Sequence, residues 1–173
     1  MERIRLGSTG LKVSPFSFGT MTLGQPVDEK TSLELLDLVS DSGVNFIDTS
    51  NSYNAGHSEE IVGQWMDARN NREHIVLATK VRYPVGNDPE TIGLTPKVLI
   101  RELENSLRRL KTEYVDIYYL HQPDDDTPIV LCRPYCTVSV RQKGPHIAQA
   151  RTAFNRHDRI DLLSIHRGNL QLP

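Results

Sequence analysis

Cysteine is scarce in this chain. The only two among 173 residues, Cys132 and Cys136, are too few for a disulfide scaffold and fit a reducing compartment. Long apolar runs are missing too: none approaches the roughly 20 residues that a membrane helix needs. The opening Met1-Glu2-Arg3 leads into a strand-like segment, not a secretory apolar stretch. A cytoplasmic location, with no membrane partner, is the expectation. Nor is there an excess of one charge: 20 Lys+Arg stand against 22 Asp+Glu, a net −2, which gives no electrostatic case for a nucleic-acid partner. What is present is ordinary for a globular domain, with 38% hydrophobic and 24% charged residues, and nothing in it suggests disorder throughout.

The near-neutral total hides an asymmetry. Residues 1–129 hold 13 Lys+Arg against 20 Asp+Glu, whereas residues 130–173 hold 7 against 2 and no Glu. That tail also carries both cysteines and three of the six histidines. Its composition differs in kind from what precedes it, so the chain divides into a unit at 1–129 and a basic tail at 130–173 with no recognisable domain.

Ile4-Arg5-Leu6 and Leu11-Lys12-Val13 flank Gly7-Ser8-Thr9-Gly10, which predicts a β-hairpin with a four-residue turn. A short strand is expected over Pro15 to Thr20. From Asp28, the apolar positions Leu33, Leu36 and Val39 make a helical stripe that stops at Gly43. Val44 to Ile47 reads as a strand closed by Asp48. Ser58 is expected to cap a helix running through Ile61, Val62, Trp65 and Met66. His74 to Thr79 is a further strand with Lys80 at its end. Thr95-Pro96 opens a helix in which Val98, Leu99, Leu103, Leu107 and Leu110 recur at helical spacing. Tyr114 to Leu120 is the fourth strand of this series, and His121 closes it. Strands and helices thus alternate with short connections, the pattern of parallel βαβ units in an α/β fold. Beyond Pro128 the rhythm stops, apart from a weak helical stripe through Ile147, Ala150, Phe154 and Ile160 to Ile165.

Asp48, Lys80 and His121 fall at the carboxyl ends of three successive strands, and in parallel sheets and barrels those ends form one rim where active sites are built. Tyr53 lies five residues beyond Asp48 in the loop Thr49-Ser50-Asn51-Ser52, near enough to fold back over the same rim. These residue types suit carbonyl reduction, in which hydride reaches carbon while a proton reaches oxygen. A tyrosine hydroxyl, with an ordinary pKa of about 10, is a poor acid at neutral pH. A neighbouring ammonium favours its ionised form, and a carboxylate keeps that ammonium charged and oriented. Histidine can hydrogen-bond the carbonyl oxygen. The hydride itself requires a cofactor.

Six segments in order resemble the successive motifs of the aldo-keto reductases: Ser17-Phe18-Gly19-Thr20-Met21, Asn45-Phe46-Ile47-Asp48-Thr49-Ser50 with Tyr53, Gly56-His57-Ser58-Glu59-Glu60, Ala78-Thr79-Lys80, Ser106-Leu107-Arg108-Arg109-Leu110, and Val115-Asp116-Ile117-Tyr118-Tyr119-Leu120-His121. The resemblance covers about residues 3–129. It implies the N-terminal half of a (β/α)8 TIM barrel, preceded by a hairpin that caps the barrel bottom and followed by an irregular tail. It also implies NADPH-dependent reduction of an aldehyde or ketone to an alcohol. Tyr53 would be the proton donor, Lys80 the group that tunes it, Asp48 the partner of Lys80, and His121 the residue that binds and orients substrate. The backbone of Gly19, Thr20 and Met21, with Asp48, would lie beside the nicotinamide of NADP(H).

Other features read as structural. His57 is a loop residue at a helix start, Trp65 and Met66 pack in the core, and Arg108-Arg109 form the polar face of their helix. Asp124-Asp125-Asp126 make a solvated loop, because three consecutive carboxylates cannot all point at one ion. Cys132, Cys136, His146 and His157 offer four zinc ligands, but their spacing matches no common finger pattern.

A complete barrel takes about 250 residues, and only about four strand-helix positions can be placed here. Nothing in 130–173 resembles the later elements that stack on nicotinamide or hold the adenosine phosphate, so the chain reads as truncated, with loss of activity one expectation. The alternatives are a catalytically dead fragment and a regulatory subunit of the same fold. Self-association through exposed barrel edges is a further expectation.

Overall fold

The computed structural model describes residues 1–128, together with the backbone of two short strands in the tail. The hairpin is as expected. Strands β1 (Ile4–Arg5) and β2 (Lys12–Val13) pair antiparallel, with Ile4 opposite Val13. Its turn closes through Leu6 N donating to Leu11 O at 3.0 Å. Gly7 and Gly10 take φ of +52° and +80° there, values that glycine adopts without a Cβ penalty.

Four parallel strands follow in spatial order β3-β4-β5-β6: β3 (Ser17–Gly19), β4 (Phe46–Asp48), β5 (Val76–Val81) and β6 (Ile117–Leu120). Helices α1 (Glu29–Asp41), α2 (His57–Arg69) and α3 (Pro96–Arg109) make the crossovers. Local chemistry accounts for two of their starts. Asp28 accepts from Thr31 N at 3.0 Å and caps α1, while Thr95 caps α3 with Pro96 in the first turn, where proline's missing N–H costs nothing. The start of α2 departs from expectation. Gly56, at φ +93°, is its cap, and Ser58 sits inside the helix, fully buried, donating to the Thr20 carbonyl at 2.8 Å. The hydroxyl that would have capped the helix instead ties it to the end of β3.

Alternation along the strands sorts residues onto two faces. Ile47, Leu77, Val81 and Tyr118 face the helices and join Leu36, Ile61, Val62, Trp65, Leu99 and Leu107 in the main core. Trp65 is 2% exposed and donates its indole N–H to Asp37 Oδ1 at 2.9 Å; burial of such a side chain stabilises the fold by about 1.5–3 kcal/mol. Met66 is buried beside it. Helices α2 and α3 cross at Gly63, where an added Cβ would lie 2.6 Å from the carbonyl carbon of Leu110. The opposite face carries Val76, Ala78 and Ile117, flanked by Phe46 and Tyr119, and meets Val13, Leu6 and Leu11 of the hairpin. Asn45 fixes that junction by accepting from Ser14 N at 2.7 Å and donating to Lys12 O at 3.1 Å.

Two surface readings are corrected. Arg109 is not on a solvated face. Its guanidinium donates to Glu59 Oε2 at 2.7 Å, and the Glu59 side chain has no exposure. Thr79 Oγ1 donates to the same carboxylate, so α2, α3 and β5 are joined at one buried charge. Burial pushes the Glu59 carboxyl above its ordinary range, and the Arg109 guanidinium opposes that shift. Asp124 likewise is not a solvated residue. Its side chain is 6% exposed and accepts from Leu94 N at 2.9 Å and Thr127 Oγ1 at 3.0 Å, fastening the entry to α3 to the loop after β6.

In the tail, β7 (Val138–Val140) and β8 (Ala148–Ala150) pair antiparallel, with Val138 opposite Ala150. The expected helical stripe therefore fails at Ala150. Gly144-Pro145 lies between the two segments in sequence, a turn signal that outweighs a sparse apolar spacing. The rest of that stripe, and Cys132, Cys136, His146 and His157, lie outside the described residues.

Candidate active site

The register of the parallel sheet brings the strand-end residues together. Asp48 is level with Ala78, and Lys80 lies two residues further along the same strand, so the two side chains share a face. Lys80 is level with Tyr119, and His121 lies two residues beyond that. His121 N donates to Val81 O at 2.9 Å, extending the pairing past β6. Asp48, Lys80, Tyr119 and His121 therefore line the carboxyl end of the face whose other end is covered by the hairpin.

Tyr53 reaches this rim because the chain turns sharply after β4. Asn54, Ala55 and Gly56 take φ of 49°, 56° and 93° in succession, and Asn54 Nδ2 anchors the turn to Leu23 O at 2.6 Å. Consecutive left-handed residues are costly away from glycine, and the Asn54 anchor offsets part of that cost.

Lys80 Nζ is the hub. It donates to Asp48 Oδ2 at 2.8 Å, Thr49 O at 2.8 Å and Tyr53 Oη at 3.1 Å, which uses all three ammonium protons. The Lys80 side chain is 12% exposed and that of Asp48 25%, so the pair is only partly screened by solvent. The Tyr53 and His121 rings meet edge to face, with centroids 5.8 Å apart. Tyr83 approaches His121 from another side at 5.0 Å and donates its hydroxyl to the Gln122 side chain. Desolvation holds the His121 imidazolium below the usual histidine pKa, the Lys80 charge adds to that effect, and Asp48 partly opposes it.

A second phenol, Tyr119, borders the same rim. Burial, reinforced by the Asp48 carboxylate, pushes it up to about 12, so it stays protonated and is badly matched to proton transfer near neutral pH.

Gly19 is level with Asp48, and nothing lies within 4 Å of the position its Cβ would take. Met21 is exposed, whereas Thr20 is fully buried and bonds to Asp48 O through its backbone N–H at 3.0 Å. The strand end beside Asp48 is thus open at Gly19, while the Thr20 backbone is engaged within the fold. His57 lies apart from the rim as the first residue of α2, in contact with Glu60 Oε2 at 3.0 Å. Among the described residues, no group of three or more His, Cys, Asp or Glu is placed to hold a metal ion, and no helix is long and apolar enough to cross a membrane.

The family model for the aldo/keto reductase family matches residues 15–143. The chain belongs to the aldo/keto reductase family. Among its relatives, an uncharacterized oxidoreductase, YrpG, of Bacillus subtilis is 42% identical over 138 residues, covering 74% of this chain and 42% of the relative. An aryl-alcohol dehydrogenase [NADP(+)] of Phanerodontia chrysosporium is 35% identical over 164 residues, covering 84% of this chain and 40% of the relative. The holo form of an aldo-keto reductase from Bacillus halodurans superposes with a TM-score of 0.70 at 36% identity, covering 79% of this chain and 45% of that one. The chain therefore spans about two fifths of the length of these curated relatives, and its hairpin and parallel strands are part of an aldo-keto reductase barrel.

Sequence reasoning did not single out Ser50, Tyr83 or Tyr119. Tyr119 had a usable signal, since it stands two residues before His121 in an alternating strand. Tyr83 and Ser50 had none, because their contacts cross between loops.

Proposed function

We propose that this rim reduces an aldehyde or ketone to an alcohol with NADP(H), with Tyr53 as the proton donor. The observation that carries the reading is the Lys80 ammonium shared between Asp48 and Tyr53. Because Tyr53 Oη accepts from Lys80, its own proton remains for another acceptor. Proton transfer to the carbonyl oxygen leaves negative charge on Tyr53, and the ammonium 3.1 Å away stabilises it. Asp48 keeps Lys80 oriented. His121, held neutral, binds and orients the substrate oxygen.

The open Gly19, the exposed Met21 and the partly exposed Asp48 suit a flat ring laid against the strand ends, which fits a nicotinamide, with Thr20 buried beneath them. When bound, a reduced nicotinamide supplies the hydride. The choice of NADP(H) is supported by the name of the Phanerodontia relative. In this reading residues 1–129 carry the reductase half-rim and residues 130–173 do not contribute to it.

The test uses a chimera in which the rest of the barrel comes from the aryl-alcohol dehydrogenase relative. NADPH-dependent formation of an aryl alcohol from its aldehyde, abolished by substitution at Tyr53, is the expected result. A chimera that binds NADPH and substrate yet forms no alcohol would overturn the reading.

A further inference from the structure

Ser50 is fully buried directly behind the rim, and its Oγ lies 3.2 Å from His121 Nδ1. It also accepts the backbone N–H of Ser52 at 3.4 Å and sits 3.1 Å from Ser52 Oγ. A hydroxyl has one proton and two lone pairs, which makes this small network countable. One lone pair takes the Ser52 N–H. If the Ser50 proton goes to His121 Nδ1, the Ser52 hydroxyl fills the other lone pair and Nε2 carries the imidazole's proton. In the alternative, Nδ1 carries the proton and donates to Ser50, whose own proton goes to Ser52 Oγ; the serines are satisfied either way, but Nε2 is left bare.

The two arrangements differ at the nitrogen that is not engaged by Ser50. A substrate carbonyl oxygen offers only lone pairs, so a bare Nε2 would meet it acceptor to acceptor. Burial and the Lys80 charge disfavour the doubly protonated ring, so one nitrogen must go without a proton. The ring is also held in place: Tyr53 and Tyr83 pack edge-on against it, at interplanar angles of 81° and 78°. Ser50, shielded from water, engages Nδ1 and leaves Nε2 as the nitrogen available to a substrate oxygen.

We infer that Ser50 donates to His121 Nδ1 and thereby holds the imidazole as the Nε2–H tautomer, the form that donates to a substrate oxygen. Ser50 is a positioning residue in this scheme: it acts through His121 and does not touch the substrate. The inference rests on the reductase reading of the rim, but the tautomer is measurable without any turnover.

The experiment is nitrogen NMR of the 173-residue chain labelled with ¹⁵N-histidine, with the His121 signals assigned by their loss in His121→Gln. The expected spectrum has a protonated Nε2 and an unprotonated, hydrogen-bonded Nδ1. Ser50→Ala removes that bias, and Ser50→Thr, which keeps the hydroxyl, retains it. In the chimera, Ser50→Ala should lower kcat roughly 3- to 10-fold, the worth of one neutral hydrogen bond, with NADPH affinity unchanged. A wild-type spectrum with Nδ1–H as the major form, or with no bias, overturns the inference whether or not the alanine variant folds. So does an unchanged tautomer in folded Ser50→Ala. If the Nε2–H bias is present while Tyr53→Phe keeps full turnover, the assignment of Tyr53 as proton donor fails and the tautomer assignment stands. If the bias is absent while Tyr53→Phe is inactive, only the role of Ser50 fails.

Discussion

Lys80 Nζ donates to Tyr53 Oη at 3.1 Å while its other two protons are held by Asp48 Oδ2 and Thr49 O, both at 2.8 Å. The ammonium is fixed from three directions, and the phenol at its edge is the only partner without a constraint from the sheet. Charge, orientation and a spare proton therefore meet at one oxygen.

Asp48 and Lys80 act as a unit in this arrangement, so their substitutions should not add. In a double-mutant cycle of Asp48→Asn and Lys80→Met, the coupling in kcat/KM is expected at about 0.5–3 kcal/mol, the range for groups in direct contact. Additive losses would show that the ion pair is incidental to turnover.

His121 gives a pH signature in stability. Its imidazolium is disfavoured in the folded protein by desolvation and by Lys80, so as pH falls the unfolded chain takes up this proton first. Stability is then lost as pH drops below the ordinary histidine value of about 6.5, since the unfolded state binds more protons there. Urea denaturation between about pH 8 and 5 should show a steeper acid decline for wild type than for His121→Gln. Parallel profiles would contradict the assignment.

The buried pair of Glu59 and Arg109 is expected to matter for folding alone. Arg109→Leu leaves a carboxylate with no exposure and no cation, and should destabilise the protein by roughly 3–5 kcal/mol. Adding Glu59→Gln should recover part of that loss. Chemical denaturation checks both, and a single variant as stable as wild type would refute the account of this junction.

The legible parts of the sequence were those with a local signature. Asp28 and Thr95 cap their helices as their residue types suggest, and the strand-end positions of Asp48, Lys80 and His121 followed from alternation and element length. Ser58 was misread because a serine before two glutamates is a strong capping signal. Tertiary context overrode it: Thr20, 38 residues away, takes its hydroxyl. Arg109 and Asp124 were misread for a related reason, since charge suggests solvent until a partner is known. Those partners, Glu59 and the loop at Leu94 and Thr127, are set by how α2, α3 and the loop after β6 pack. The contact between Ser50 and His121 spans 71 residues and has no periodic trace at all.

The most direct test of the central claim is single-turnover aldehyde reduction by the chimera, compared between wild type and Tyr53→Phe at saturating NADPH. Phenylalanine keeps the ring that packs against His121 and removes only the hydroxyl. The expected result is a loss of about 10²- to 10⁴-fold in the rate of reduction, with NADPH affinity unchanged. A Tyr53→Phe protein that binds NADPH and reduces aldehyde at near the wild-type rate would contradict the assignment of Tyr53 as the proton donor.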